Sequence, residues 1–248
     1  MTTTRTTSRT RVSCDTCSIS SLCLPSALDV NEVNQLTNII HRGAPLQKGA
    51  FLTQAGDEFS NLFAVSSGSF KAYTLSEDGI INITGFYFPG ELIGLDAIND
   101  GQYISFVKAL ETSSVCALPY DNLEEFSGVS RNLRRQLMVL MSKEIQEDQE
   151  LLLLLSRKHA AERMAAFLLS LSLRYKQRGF SASQFNLTMT RSDIGNYLGL
   201  AIETVSRLLT TLQKNDIIKV EDKLITIHNR TKLMELAGYN CDKLYETA

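Results

Sequence analysis

The chain has 248 residues, of which 44% are hydrophobic and 21% are charged, and its formal net charge is −2. These values are ordinary for a globular protein. Its longest apolar run, Leu151 to Leu155, is far too short to span a membrane, and no secretory signal is present. We therefore expect a cytoplasmic protein with one large domain or two ordinary ones.

The first residues are rich in Thr and Ser and contain arginines but no acid. Transit peptides share this composition, but this stretch has no apolar face, so we expect a disordered tail over residues 1–13. A cysteine segment follows over residues 14–25. Apolar residues at helical spacing then predict an amphipathic helix over residues 29–42.

Short β-rich runs alternate with glycines from about Leu46 to Pro119, which predicts an all-β sandwich or barrel. The turn Glu77-Asp78-Gly79 between two of these runs predicts a hairpin. Beyond Tyr120 the pattern becomes helical, and its main element is predicted from about Asn132 to Ser156.

Apolar residues on this long helix recur with a period near 3.5, which favours a coiled-coil seam between two copies of the chain. Asp148 stands where another apolar residue is due. The alternative is a helix that packs only on its own domain, with Asp148 at the rim. The predicted seam residues are Leu137, Met141, Ile145, Asp148, Leu152 and Leu155.

A further helix is predicted from about Ala160 to Gln177. The region from Arg157 to Lys214 contains nine bases and three acids, a net charge of +6 (nine minus three). A basic region inside a neutral chain is what phosphate binding requires. We therefore expect this region to approach nucleic acid.

A helix-turn-helix pattern extends from Arg191 to Leu209. Thr190 and Asp193 resemble a capping box, and Gly199 lies where a helix stop needs positive φ. The second helix is predicted from about Ile202 to Lys214. Two β-like runs after it, IIKV and LITI, predict a wing, and a short final helix follows.

Three side chains of the second helix project together, because they lie at positions i, i+3 and i+4. Arg can pair with guanine, Glu can accept from cytosine, and Ser can bond a base or a phosphate. The alternative is an ion pair between the Glu and the Arg on a solvated helix. The candidate DNA-contacting residues are Glu203, Ser206, Arg207, Thr190 and Arg191.

Cys14, Cys17 and Cys23 lie within ten residues, and Cys116 is 93 positions beyond the last of them (116 − 23). In a reducing compartment, clustered thiols favour metal ligation over disulfides. Four thiolates suffice for a zinc ion or an iron–sulfur cluster, and spacing alone does not choose between them. Cys241 has no partner pattern, so we expect it to be a bystander.

Six blocks of sequence resemble, in order, the CRP/FNR family of bacterial transcription regulators, and within it the oxygen-responsive FNR branch. They are CDTCSISSLCLP, GDEFSNLFAVSSGSFKAYTL, ITGFYFPGELIGLDAI, ALETSSVCALP, RQLMVLMSKEI and LTMTRSDIGNYLGLAIETVSRLL. The resemblance implies an α+β fold with a β-roll (cupin-like jelly roll) sensory domain and a C-terminal winged helix-turn-helix domain. The implied parts are the tail and cysteine segment 1–28, the β-roll 29–130, the dimerisation helix 131–158 and the DNA-binding domain 159–248.

The resemblance also implies a function. In the FNR branch the four corresponding cysteines bind a [4Fe–4S] cluster, which oxygen converts to [2Fe–2S], and the dimer then weakens. The implied protein is a homodimer, not an enzyme, with one [4Fe–4S] cluster per subunit. It would bind a DNA palindrome resembling TTGAT…ATCAA, contact RNA polymerase and control genes of anaerobic respiration.

The cyclic-nucleotide branch of this family has an Arg-Ser pair after its PGE-x-x-G turn. Here PGELIG is present at Pro89 to Gly94, but QYISFVKALE follows without the pair, so no cyclic nucleotide is expected. The glycine and Glu91 of this segment would then remain as turn structure. Two alternatives remain open: a zinc-structured or thiol-redox regulator of the same fold, and an iron–sulfur electron-transfer protein. The electron-transfer alternative is disfavoured because no dinucleotide fingerprint is present and the three histidines are scattered.

Overall fold

A computed structural model describes residues 13–239 of the chain. Most of the predicted tail, and Cys241, lie outside the described residues. The cysteine segment folds into short 3-10 turns between Cys14 and Ala27 and leads into helix α1, Val30–Ile39. No helix within residues 13–239 is long and apolar enough to cross a membrane.

The predicted all-β region is confirmed as two four-stranded antiparallel sheets, the β-roll, with orders β1-β8-β3-β6 and β2-β7-β4-β5. Gly79 has φ 74° between β4 and β5, as the predicted hairpin requires. The strands are β1 His41–Arg42, β2 Phe51–Thr53, β3 Asn61–Ser67, β4 Phe70–Leu75, β5 Ile81–Tyr87, β6 Leu92–Ile93, β7 Phe106–Ala109 and β8 Ser114–Pro119.

The remaining elements confirm the long helix and the winged helix-turn-helix. The extended stretch before the helix-turn-helix also joins the wing, because β9 pairs with β11 to give the order β10-β11-β9. The elements are α2 Tyr120–Val129, α3 Arg131–Arg157, α4 Ala160–Gln177, β9 Gln184–Asn186, α5 Arg191–Leu198, α6 Ile202–Lys214, β10 Ile218–Glu221, β11 Leu224–Ile227 and α7 Arg230–Leu236.

Helix α3 begins where several side chains meet. The Ser130 hydroxyl accepts from the Leu133 amide at 2.9 Å and donates to the Glu32 carboxylate at 2.7 Å. Glu32 also accepts from the Asn132 side-chain amide at 2.9 Å. These bonds cap the helix and attach its first turn to α1.

Two hydrophobic cores flank α3. One lies below the cysteine segment and contains Leu24, Leu36 and Leu133. The other runs without a break from the β-roll, through Ile83 and Phe86, into α4, α5 and α6. The DNA-binding elements are therefore packed on the β-roll as well as connected to it by the chain.

The middle of α3 buries an acidic side chain against β5. The Tyr87 hydroxyl donates to the Glu144 carboxylate at 3.2 Å. Burial, reinforced by the negative charges of Glu147, Asp148 and Glu91, raises the pKa of Glu144 to about 7. This carboxyl group is therefore only partly ionised near neutral pH.

We expect Glu144→Gln to flatten the pH dependence of folding stability. Because the folded-state pKa is raised from 4.5 to about 7, the folded chain holds this proton more tightly than the unfolded chain does. Stability therefore falls as the pH rises through that window, by up to about 3 kcal/mol. Urea unfolding at several pH values from 4.5 to 8 measures this, with Glu150→Gln as a control for an exposed acid on α3. Equal slopes in the wild type and Glu144→Gln would contradict the prediction.

Candidate cofactor site and nucleic-acid interface

The four cysteines predicted as ligands line one small cavity. Cys14, Cys17 and Cys23 reach it from the 3-10 turns, and Cys116 reaches it from β8. The free volume of this cavity is about 30 Å³.

Neighbouring elements hold these cysteines in place. The Cys14 amide donates to the Thr37 hydroxyl of α1 at 3.2 Å, and strand pairing places Cys116 opposite Arg42. The Arg42 Nε atom donates to the Cys116 sulfur at 3.3 Å. Sequence reasoning missed Arg42, since nothing in the spacing links it to a cysteine 74 residues away. Its guanidinium group therefore lies beside one of the four sulfurs.

The protonation of the thiols depends on what binds them. Burial raises the pKa of Cys14 and raises that of Cys23 to about 12. These two thiols are therefore protonated at neutral pH until a cation displaces the proton.

The donor set at this cavity consists of four cysteine sulfurs. Within residues 13–239 no three His, Cys, Asp or Glu side chains are already arranged to hold a single metal ion. Thiolates are the ligands of both a four-cysteine zinc site and an iron–sulfur cluster, so the chemistry of the donors fits either predicted cofactor.

The cysteine segment is bonded directly to α3 through Gln136, which is only 9% exposed. Its Nε2 atom donates to the Ser26 hydroxyl at 2.8 Å and to the Cys23 carbonyl at 3.5 Å. Leu24, beside Cys23, packs in the same core as Leu133 of α3. A movement of the cysteine segment would therefore be transmitted to this helix.

The predicted seam residues all lie on α3, and several of them face solvent. Ile145 is 56% exposed and Leu152 is 67% exposed. Partial burial raises the pKa of Asp148, and the carboxylate of Asp96 raises it further. The half-buried members of the set are Leu137, Met141 and Leu155.

The predicted capping box at the start of α5 is confirmed. The Thr190 hydroxyl accepts from the Asp193 amide, and the Asp193 carboxylate accepts from the Thr190 amide at 2.9 Å. Gly199 ends the helix with φ 64°. A Cβ atom at Gly195 would lie 2.5 Å from the Leu200 carbonyl oxygen, so the close approach of the turn to α5 requires glycine.

Helix α6 buries one face and presents the other. Val205 is fully buried, whereas Glu203 and Arg207 are exposed. Within residues 13–239 no ion pair joins Glu203 to Arg207, so the alternative of an internal pair does not describe this helix. Arg191 of α5 donates to the Ser206 hydroxyl at 3.3 Å, which brings the candidate residues of both helices together.

Part of the basic charge predicted to bind phosphates is used inside the protein. Arg174 and Arg178 donate to the carboxylate of Glu91, at 2.8 and 2.6 Å. Arg163 donates to three backbone carbonyls, those of residues 155, 158 and 198. Glu91 also accepts from the Phe88 amide at 2.9 Å within its turn, so it both shapes the turn, as expected, and attaches the β-roll to α4.

A second cavity, of about 340 Å³, lies between the β-roll and α3. Its described lining includes Asp96, Glu144 and Asp148 but no lysine or arginine. A cyclic phosphate in this cavity would meet negative charge without a guanidinium to bind it.

Comparison with known proteins identifies relatives over nearly the whole chain. Residues 162–236 match the family model of the Crp-like helix-turn-helix domain, and residues 44–128 match that of the cyclic nucleotide-binding domain. The chain is 54% identical over 227 residues to the fumarate and nitrate reduction regulatory protein of Yersinia pestis, and 53% identical over 228 residues to that of Escherichia coli K12. Each match covers 92% of this chain and 91% of the relative. The structure of FixK2 from Bradyrhizobium japonicum is 30% identical, covers 80% of this chain and 97% of that chain, and superposes with a TM-score of 0.73.

Proposed function

Because the chain belongs to the CRP/FNR family and is a DNA-binding transcription regulator of the FNR type, we propose that an oxygen-sensitive [4Fe–4S] cluster controls it. The observation that carries the proposal is the meeting of Cys14, Cys17, Cys23 and Cys116 at one cavity beside α3. When bound, the cluster would supply the reactivity toward oxygen. The protein's own residues would convert ligation into a change of oligomeric state.

The cysteine segment would pass the signal to α3. Ligation by all four thiolates would tie this segment to Cys116 of the β-roll. Gln136 bonds both the Cys23 carbonyl and Ser26, so a change in the position of the segment on ligation would alter the packing of α3. In the absence of oxygen the cluster would stay ligated and would thus favour the arrangement of α3 that pairs with a second copy.

The exposed apolar residues of α3 would form the dimer seam. In a parallel two-fold dimer, each Asp148 would approach its mate, and two like carboxylates brought together are unfavourable. The unligated dimer would therefore be marginal. A few kcal/mol from ligation would then suffice to shift the population from monomer to dimer.

The dimer would present two copies of α6 to DNA. Two-fold symmetry predicts a palindromic site, and we propose one similar to TTGAT…ATCAA, read by Glu203, Ser206 and Arg207. Thr190 and Arg191 would contact the same site from α5. The regulator would act in the cytoplasm, where it would contact RNA polymerase and control anaerobic respiration genes. It would bind no cyclic nucleotide.

The cluster is tested by purification without oxygen, followed by iron, sulfide and zinc assays and visible spectra in air. We expect about four irons per chain and a brown colour that changes on exposure to air. Cys23→Ser should lose this iron, whereas the control Cys241→Ser should retain it. A colourless wild type that holds one zinc ion and binds DNA in air would instead favour the zinc-structured regulator.

The seam is tested by Asp148→Ala. Removal of the repulsion between carboxylates should tighten the unligated dimer about tenfold or more, which corresponds to about 1.4 kcal/mol. The variant should be dimeric and should bind the palindrome in air, with Glu150→Ala as an exposed acidic control on α3. If light scattering finds unligated Asp148→Ala monomeric, the proposed role of this carboxylate is wrong.

The proposed contact of α6 with DNA bases is tested by Arg207→Ala. A bidentate contact to guanine is worth about 1–3 kcal/mol of discrimination, so the variant should lose affinity for TTGAT and its preference for guanine. The exposed base Lys214, near the end of α6, serves as the control. Lys214→Ala should keep the sequence preference even if affinity falls. Retention of the guanine preference by Arg207→Ala would contradict the assignment.

A further inference from the structure

We infer that the β-roll clasps the first helix of the helix-turn-helix and that Asn196 is the positioning residue of this clasp. The clasp consists of the contacts made by Asn196, Lys71 and Ser69 between the β4–β5 hairpin and the DNA-binding domain. It would hold α6 in the orientation that a palindrome requires. The inference rests on the DNA binding of the family and needs no iron–sulfur cluster.

Asn196 binds a free sheet edge. Its Oδ1 atom accepts from the Ile83 amide at 2.6 Å, and its Nδ2 atom donates to the Ile81 carbonyl at 2.6 Å. Strand β5 is the last strand of its sheet, and an edge strand leaves alternate amide and carbonyl groups without a partner. The carboxamide of Asn196 therefore replaces a neighbouring strand at this point.

Two polar contacts reinforce the bond of Asn196. Lys71 of β4 pairs with Asp193, the capping residue of α5. The Ser69 hydroxyl donates to the Thr188 hydroxyl at 2.8 Å. Both Lys71 and Asp193 are largely shielded, with side-chain exposures of 19% and 11%, so their pairing is screened less than a surface ion pair is.

Apolar contacts complete the interface. The ring of Phe86 on β5 lies 5.1 Å from that of Tyr197 on α5, in an edge-to-face arrangement. Ile83 and Ile194 belong to the same buried cluster. The polar bonds therefore fix the direction of α5 on a surface that hydrophobic burial already holds together.

The clasp leaves the side chains of α6 and the wing that would face DNA exposed. Glu203 and Arg207 on α6 remain exposed, as do Lys219 and Lys223 of the wing. A contact that inhibited DNA binding would have to cover some of these side chains. The docked arrangement leaves all four side chains uncovered, so we assign it a preorganising role.

The connection between α3 and α4 explains why such a clasp is needed. Only Lys158 and His159 separate the two helices, and both have extended backbone conformations. Without other contacts the DNA-binding domain could rotate about this joint. A palindrome must engage two such domains at once, so fixing their orientation in advance lowers the entropic cost of binding.

The test compares Asn196→Ala with the wild type under conditions in which the wild type binds the palindrome. Asn82→Ala is the matched control, because Asn82 is an exposed residue of β5 whose side chain, within residues 13–239, bonds only inside its own hairpin. We expect Asn196→Ala to lower palindrome affinity about tenfold or more, since each of the two subunits loses two hydrogen bonds. The dimer mass should not change, and hydrogen exchange at the Ile83 amide should accelerate. Asn82→Ala should alter neither affinity nor exchange.

A second variant, Lys71→Met, keeps the inference testable if Asn196→Ala folds poorly. It removes the other main polar contact without affecting Asn196, and it should also lower affinity while the dimer persists. Unchanged or increased affinity in folded Asn196→Ala and Lys71→Met would overturn the positioning role. An unprotected Ile83 amide in the wild type would overturn the clasp itself. Neither result depends on iron content, so failure here is distinct from failure of the cluster proposal.

Discussion

The packing of α3 against two different partners, with a further face left exposed, is the constraint that links the parts of this protein. Its first turns lie below the cysteine segment, where Gln136 bonds the Cys23 carbonyl. Its middle packs on the β-roll, where Glu144 meets Tyr87. Its remaining exposed face carries Ile145 and Leu152, which are largely exposed among the described residues. A small displacement at one partner therefore changes the surface available to the others.

Negative charge along α3 keeps the free energies of the two proposed states, monomer and dimer, similar. Glu144 and Asp148 both have raised pKa values, with burial as the main cause. The ionised forms are therefore disfavoured beside the β-roll even before a second subunit adds its own carboxylates. A helix of this kind suits a regulator, because a modest contribution from ligation can decide between two states of similar free energy.

The β-roll has the scaffold of a cyclic nucleotide-binding domain but different chemistry. Residues 44–128 match that domain, yet Glu91 of its turn binds Arg174 and Arg178 of α4. The described lining of the cavity beside α3 includes three acids and no lysine or arginine. The turn at Glu91 thus serves to hold the DNA-binding domain. The edge of β5 has the same role in the clasp proposed at Asn196.

Features encoded over short stretches were predictable from sequence. The Thr190–Asp193 capping box, the Gly199 stop and the Gly79 hairpin each depend on residues a few positions apart, where local geometry limits the choices. The heptad-like spacing likewise predicted the length of α3. Spacing also singled out the cysteine trio with Cys116 as a remote fourth thiolate, and the family resemblance implied the same four residues.

Contacts between distant residues were not predictable in this way. The Asn196–Ile83 and Gln136–Cys23 bonds each join residues 113 positions apart, and the Arg174–Glu91 pair joins residues 83 apart. No period or local motif links such pairs, because their meeting depends on how sheets and helices pack. For the same reason, composition indicated a basic DNA-binding region, but folding directs Arg163, Arg174 and Arg178 to the interior. Local chemistry thus specifies the elements, and packing specifies which charges remain free for a partner.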